Sequence, residues 1–575
     1  MKLFSKRWEI RKKDGELQRF LARELSISPL ISQLLINRDI TDLPQAKMFL
    51  SASLSDLHSP FLMKDMDKAV TRIARALKDR QKIVIYGDYD VDGITGTAIL
   101  YNFLQELGGD CSYFIPEREK EGYGLNLEAI RQFKEKGAGL LITVDCGIGD
   151  FEEVSSAHEQ GMDAIITDHH EIPDRLPPAD AVLNPKQKDC PFPFKDLAGV
   201  GIAFNLLIAL RSYLRDTGYF GNEAPPNLKE YLDLVSLGTV ADMVPLVDEN
   251  RIFVKYGLKF LTNGSRVGIK ALKEVSGLKD VPITTGHIGF RLGPRINAPG
   301  RIDRAEEGLK LLITKDAQEA ESLAKSLEGM NSRRQQIENE IVREIKERIE
   351  KDERFLEKRS LVLSSSNWHP GVIGICASRI VEEYYRPTVL IALDGEKGKG
   401  SARSIEAFHL YNGLKGCESL LEGFGGHKHA AGLTILTGKI EEFEKAFEEI
   451  AFQSLEEEHL IPRINIDAEI NLKEVTENFI DELDRLSPFG YSNPEPTFSS
   501  FDLKLYSSMV VKNGHLKMKI KEEGAFYDAI GFNMGNHFPL SDQKIRLAFV
   551  PQFNTWQGIK NIQLRIKDIK IGEEQ

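Results

Sequence analysis

Three apolar runs, each stopping at acidic or imidazole side chains, constrain this chain more than any other feature. They are KIVIYGDYD (82–90), GLLITVDCG (139–147) and DAIITDHH (163–170). Each is too short and too continuously apolar for an amphipathic helix, and reads as a strand buried on both faces. Helical stretches such as TGTAILYNFLQEL separate them, and AVLNP (181–185) supplies one more short run. Such alternation builds a doubly wound parallel sheet. Ligands of such sheets gather beyond the carboxyl ends of the strands. One sheet edge would therefore collect Asp88, Asp90 and Asp92, then Asp145, then Asp168, His169 and His170.

The densest of these clusters is GDYDVDG (87–93), with three alternating carboxylates. Close carboxylates repel unless cations neutralise them. Asp and Gly are also ordinary turn residues, so the motif by itself leaves a plain turn open. An EF-hand does not fit, because a strand precedes the loop and no Glu stands at its twelfth position. A fourth element, YLDLVSLGTVADMVPL, ends an apolar helix at Asp242, which alone reads first as an ordinary loop or cap residue. Five or six carboxylates with one or two imidazoles form a hard ligand set, suited to Mn²⁺ or Mg²⁺. That is too many ligands for one ion, so two ions are expected, the arrangement used for in-line phosphoryl displacement. No GxxxxGK[S/T] occurs, and ATP hydrolysis is not indicated.

With 575 residues the chain exceeds one ordinary core. Residues 1 to about 80 read as short helices. A proline-free stretch, 316–359, carries Ile337, Ile341, Ile345 and Ile349 at i+4 spacing and reads as a long connecting helix. SLVLSSS and TVLIAL open a second, smaller α/β unit over 360–458. Short β-like runs over 459–575, such as HLKMKI and IRLAFV, suggest a mildly basic β-barrel. The expected domains are thus 1–315, 316–359, 360–458 and 459–575. The net charge of −12 disfavours a broad nucleic-acid-coating surface and leaves a local basic channel possible. Five scattered cysteines without a CxxC pair argue against a disulfide framework and a structural zinc site. No apolar run approaches the roughly 20 residues of a membrane span. The charged N-terminus lacks a signal-peptide core, so a cytoplasmic location without membrane attachment is expected.

Taken in order, GDYDVDG, VDCG, TDHHE and GTVADMVPL resemble the four motifs of the DHH phosphoesterases. The resemblance implies that Asp90, Asp92, Asp145, His169 and Asp242 hold metal, with Asp88 close by. It implies that His170 meets the substrate phosphate and that Asp168 orients a neighbouring imidazole. Some relatives, the inorganic pyrophosphatases, place a His four residues before the first ligand; Tyr86 stands there in GDYDVDG's strand, which counts against that reading. FGGHKHAAG (424–432), NWHPGVIGICASRI and GSARS resemble the associated DHHA1 domain. Gly425 and Gly426 would allow close backbone approach, His427 and His429 would donate, and Ser401 and Arg403 could fork onto a phosphate. A Gly-Gly-His or a Ser-x-Arg alone is compatible with a bland turn.

YFIPEREKEGYGLN (113–126), GFRLGPRINAPGRID (289–303) and LSPFGYSNPEPTF (486–498) are similar to the RecJ-type branch of the superfamily, across about 50–575. That resemblance implies a C-terminal OB-fold, a platform for single strands. It implies a metal-dependent exonuclease that degrades single-stranded DNA 5′→3′ to 5′-mononucleotides in repair and recombination. One strand would enter a channel between lobes. Arg118, Ser401 and Arg403 would hold the 5′ phosphate, and Arg295 and Arg301, expected in a loop, would contact the next phosphates or form ion pairs. In the barrel, Lys517, Lys519 and Trp556 read equally as contacts, core or solvated surface. A single-strand-binding protein and a helicase are implied partners, and a monomer is the expected state. Two alternatives stand beside this: a DHH phosphodiesterase for short oligonucleotides or small nucleotides, and a non-catalytic replication scaffold. Intact motif carboxylates and imidazoles count against the scaffold.

Overall fold

The structure is a computed structural model describing residues 6–117, 122, 124–352, 354–540, 544–556 and 559–571. The chain packs as two units. The larger comprises Glu9–Gly300, Arg304–Lys325 and Asn465–Gln575; the smaller comprises Met1–Trp8, Arg301–Asp303 and Ser326–Ile464. No helix among the described residues is long and apolar enough to cross a membrane.

In the larger unit the apolar runs form five parallel strands: β1 (Lys82–Gly87), β2 (Cys111–Phe114), β3 (Ala138–Val144), β4 (Asp163–Thr167) and β5 (Ala181–Leu183). Their spatial order is β2-β1-β3-β4-β5. Alternate residues face opposite sides, and both sides are covered. Val84, Tyr86, Leu141 and Ile166 pack with Ile130, Phe133 and Val154 on one of them. Helix α1 (Val91–Glu106) covers the other; a Cβ on its Gly96 would fall 2.5 Å from Val144 Cγ1. From β1 the chain goes to β2 on one side and then crosses to β3 on the other. The carboxyl ends of β1 and β3 are therefore the switch point, where an open sheet offers a crevice. Among the further helices of this part are α2 (Gly199–Asp216), α3 (Leu232–Ala241) and α4 (Asp248–Asn263).

The first 80 residues are not helical throughout, because Arg7–Ile10 is a strand. Helices Gly15–Leu25, Pro29–Ile36 and Leu43–Ser51 follow. Ile31, Leu34, Leu35, Phe49 and Leu50 share one core with the C-terminal residues Phe498, Leu516, Ile520, Leu547 and Phe549. Those C-terminal residues belong to a barrel. Phe498–Val511, His515–Glu522, Ala525–Gly531, Ile559–Ile571 and Lys544–Trp556 pair in that order, and Phe498–Val511 pairs back onto Lys544–Trp556. Closure removes the exposed strand edges. Lys517 and Lys519 point to solvent.

In the smaller unit, strands Leu361–Ser365, Thr388–Asp394, Lys397–Arg403, Ala430–Leu436 and Gly423–Gly426 form a mixed sheet in that order. The long proline-free stretch is the helix α5, Ala317–Lys351. Its Ile341, Ile345 and Ile349 are buried against Leu361, Leu363, Trp368 and Ile373, which accounts for the i+4 spacing.

A buried arginine joins the parts of the larger unit. Arg251 of α4 is 1% exposed and, among the described residues, pairs with no carboxylate. Its guanidinium donates to the carbonyls of Phe49, Leu486, Pro488 and Arg485 and lies 3.9 Å above the Phe49 ring. Burial holds its pKa down to about 9. Arg251→Ala would remove the guanidinium from the Phe49 and Arg485 carbonyls, while Asn493 Nδ2 would still reach those of Leu486 and Pro488. We expect it to cost about 3 kcal/mol or more in the first transition of a denaturant titration. A loss below about 0.5 kcal/mol would mean that water replaces the guanidinium and that the tie is unimportant.

Candidate metal centre

Backbone geometry at the switch point fixes the carboxylates before any ligand arrives. Asp90 caps its own helix, accepting from the N–H groups of Asp92 at 2.8 Å and Gly93 at 3.2 Å. Asp92 caps another. Its two oxygens accept from Gly199 N at 2.6 Å and Val200 N at 2.9 Å, at the start of α2. Gly199 has no substitute there, since a Cβ would sit 2.8 Å from Asp145 Cβ and 3.0 Å from Asp92 Oδ2. Asp145 follows β3 with φ of 62°, a left-handed conformation costly for a residue with a side chain. Asp242 ends α3.

These elements bring the expected ligands together. Three triads each place one ligand atom per residue within 4.8 Å of the others: Asp88, Asp90 and Asp145; Asp92, His169 and Asp242; and Asp145, His169 and His170. Asp88, Asp92 and Asp145 are buried. Burial, then Asp90, raises the Asp92 carboxyl to about 7. Burial, followed by the charges of Asp92, Asp90 and neighbouring carboxylates, raises Asp145 and Asp242 well above the usual carboxylate range.

The adjacent imidazoles behave oppositely. Burial, with His170 alongside, pushes His169 down to about 3, so its ring is neutral. It donates to the Leu197 carbonyl, while Nε2 has no hydrogen-bond partner among the described residues and lies 3.1 Å from Asp145 Oδ1 and 3.5 Å from Asp242 Oδ2. The donor is therefore Nδ1–H, and Nε2 is a buried lone pair facing carboxylate oxygens. A divalent cation satisfies all three atoms. His170 Nδ1 lies 2.7 Å from Asp168 Oδ1. Burial lowers the His170 pKa, but Asp168 and the nearby carboxylates outweigh it, and the net shift is upward. Burial raises Asp168, and its bonds from His170 and Ile148 N more than reverse that. Asp168 thus positions His170 instead of facing the cluster. The donors, mostly oxygen with one neutral imidazole, fit Mn²⁺ or Mg²⁺. Tyr86 is buried in the core and donates to the Gly124 carbonyl at 2.9 Å, so it is not a ligand.

The GPRINAPGR stretch corrects one expectation. It is helical, not a loop: a π-helical turn at Ile288–Leu292 leads into Gly293–Asn297 and Pro299–Ile302. The glycines and the two prolines there serve packing and helix starts. A Cβ on Gly300 would lie 2.8 Å from the Tyr89 carbonyl, and Asn297 Oδ1 accepts from Val91 N at 3.0 Å. The stretch braces the first carboxylate loop, a role that sequence reasoning missed. Arg295 donates to the Arg291 carbonyl at 2.7 Å. Arg301 donates to Gly371 O at 3.4 Å. Arg118 lies outside the described residues.

In the smaller unit, Ser401 and Arg403 stand on one strand, with Arg403 Nη1 3.3 Å from Ser401 Oγ. Both reach the first turn of α6 (Ile373–Tyr384): a Cβ on Gly374 would be 2.9 Å from Ser401 Oγ and 3.2 Å from Arg403 Nη2. A guanidinium, a hydroxyl and a helix N-terminus together suit a phosphate. Gly425 pairs with Gly432, which pairs with Ser401, so the glycine motif is two strands away. Gly426, with φ of 142°, starts an exposed turn closed by His427 N to Ala430 O at 2.8 Å. His427 and His429 are exposed on that turn.

Sequence reasoning also passed over an aromatic pair on the barrel. Tyr506 and Phe526, 62% and 47% exposed, meet edge to face at 4.9 Å. Lys519 and Lys521 each lie 5.6 Å from the Phe526 ring. Tyr506 sits at the irregularity in pairing between Leu505 and Ser507, and Phe526 stands opposite Lys521, so the pair is not set by sequence alternation alone. The Trp556 side chain lies outside the described ones.

Three family models match: the DHH family N-terminal domain at residues 82–239, the DHHA1 domain at 357–452 and the RecJ OB domain at 466–568. The chain is 39% identical over 575 residues to the single-stranded-DNA-specific exonuclease RecJ of Bacillus subtilis, covering 99% of this chain and 71% of that one. It is 37% identical over 522 residues to RecJ of Escherichia coli, covering 88% and 90%. The crystal structure of Thermus thermophilus RecJ in complex with Mn²⁺ superposes with a TM-score of 0.84 at 30% identity, covering 99% of this chain and 80% of that one. On its sequence, its motifs and its architecture, the chain belongs to the RecJ family of single-stranded-DNA-specific exonucleases.

Proposed function

We propose that the protein is a single-stranded-DNA-specific exonuclease that works from the 5′ end and releases 5′-mononucleotides. The observation that carries this is the buried carboxylate cluster closed by the neutral Nε2 of His169. Asp88, Asp90, Asp92, Asp145, His169 and Asp242 would hold two Mn²⁺ or Mg²⁺ ions. Such a pair supplies a water acidified enough to attack phosphorus and offsets charge on the leaving oxygen. His170, oriented by Asp168 and with its pKa raised by it, donates to a non-bridging phosphate oxygen as negative charge develops. Ser401, Arg403 and the α6 N-terminus bind the 5′ phosphate. Tyr506 and Phe526, with the lysines beside them, give a strand bases to stack on and charge along its backbone. Work on single strands fits repair and recombination in the cytoplasm, alongside a single-strand-binding protein and a helicase, with the chain as a monomer.

A 5′-phosphorylated single strand labelled at its 3′ end tests the reading. With Mn²⁺ the labelled strand should shorten progressively, a blunt duplex should persist, and Asp90→Ala should lower the rate at least 10³-fold, of the order expected for losing a metal ligand. Hydrolysis of a dinucleotide with the strand left intact would move the protein to the small-nucleotide branch.

Two further outcomes follow from the geometry. Arg403→Ala should erase most of the rate advantage of 5′-phosphate over 5′-hydroxyl ends, measured as the ratio of kcat/KM. An unchanged ratio places the end-binding site elsewhere. The second concerns pH. Asp92, at about 7, and Asp145 and Asp242, well above the carboxylate range, are raised by burial and then by one another's charge. Groups raised in the fold contribute stability below their unfolded value near 4, and lose it as pH climbs through the folded one. In EDTA, Tm should therefore fall from about pH 6 to pH 8. Saturating Mn²⁺ should remove most of that fall, because the ions replace the protons. A Tm gap between the two conditions that is flat with pH would contradict the linkage.

A further inference from the structure

Three segments of the larger unit, none of them supplying a ligand from an exposed side chain, are pinned to one another beside the metal centre. The first leaves α3 just after Asp242. Its Met243 has φ of 60° and is 70% exposed. The second is the π-helical turn Ile288–Leu292. Ile288 and Leu292 are buried there, and Phe290 between them is 86% exposed. The third follows Phe489 and holds Tyr491 out at 58% exposure.

Short contacts lace the three. A Cβ on Gly293 would lie 3.6 Å from Ala241 Cβ and 3.9 Å from Val91 Cγ2, so the π-turn abuts both the end of α3 and the first carboxylate loop. Thr285 Oγ1 donates to Phe489 O at 2.7 Å. Leu246 N donates to Tyr491 O at 2.9 Å. Every exposed side chain is thus within five residues of a contact to another of the segments.

A single exposed apolar side chain is ordinary. Here three come from backbones tied together, and two are held out by unusual conformations: a left-handed residue at Met243 and a π-turn under Phe290. Single π-turns concentrate at functional sites. Arg291 and Arg295 stand on the same stretch, joined through the Arg291 carbonyl. Exposed apolar side chains on a stretch that also carries arginines suit a single strand, whose bases stack while its phosphates meet cations. We infer that Met243, Phe290 and Tyr491 form a rim on which nucleobases stack as the strand reaches the carboxylates, with Phe290 as the main contact. This rests on the single-strand reading above.

The test uses the full chain carrying Asp90→Ala, so that strands persist, and single strands with one 2-aminopurine moved stepwise from the 5′ end. Fluorescence reports stacking, and anisotropy of an end label reports binding. At one or more positions the parent should quench the probe, Phe290→Ala should relieve the quench and weaken binding about tenfold, and Phe290→Trp should restore both. Replacing the quenched nucleotide by an abasic site should make parent and Phe290→Ala bind alike. If the strand binds but the quench profile ignores Phe290→Ala, or if the abasic strand still separates the two proteins tenfold, the rim assignment is wrong. If the parent binds no single strand, the functional reading itself fails.

Discussion

The parallel sheet of the larger unit and the helices beside it are arranged around like charge crowded at the carboxyl edge of the sheet. Two carboxylates about 4 Å apart repel by about 4 kcal/mol at an effective dielectric near 20. A charged hydrogen bond returns about 1.5–3 kcal/mol. The N–H groups that Asp90 and Asp92 receive from α1 and α2 therefore offset part of the repulsion and not all of it. Helix starts bring the carboxylates together, and cations or protons must complete the neutralisation. Gly199 belongs to the same requirement: without its bare Cα, α2 could not deliver its N–H groups to Asp92 past Asp145.

The neighbouring imidazoles show how one dipeptide serves two chemistries. His169 gives its proton-bearing nitrogen to the Leu197 carbonyl and turns a lone pair to the cluster. His170 is bound by Asp168, which raises its pKa against the effect of burial and so favours its charged form. A ligand must be neutral and a donor to phosphate should be charged. Backbone carbonyl against buried carboxylate decides which residue is which.

Much of this was legible in the sequence, because it is carried by local signals. Strands buried on both faces give continuous apolar runs, and a parallel sheet puts whatever follows them on one edge. Ile337 to Ile349 announced α5 by spacing alone. What was hidden depends on distant partners. GPRINAPGR looks like a loop because Gly and Pro punctuate chains, yet Gly300 is small to clear the Tyr89 carbonyl and Pro299 opens a helical turn. The shared core of the N-terminal helices and the barrel joins residues more than 400 positions apart. Arg251 carries no motif at all, since its partners are carbonyls. Tyr506 and Phe526 meet only through the barrel's register.

The most direct test of the account is anomalous scattering from crystals of the protein grown with Mn²⁺. Two peaks should appear among Asp88, Asp90, Asp92, Asp145, His169 and Asp242, with His169 bound through Nε2 and His170 still on Asp168. Manganese instead at the other His-carboxylate group, His158, Asp163 and Asp180, or a single ion that leaves His169 Nε2 without a ligand, would contradict the claim that buried charge at the sheet edge exists to hold a metal pair.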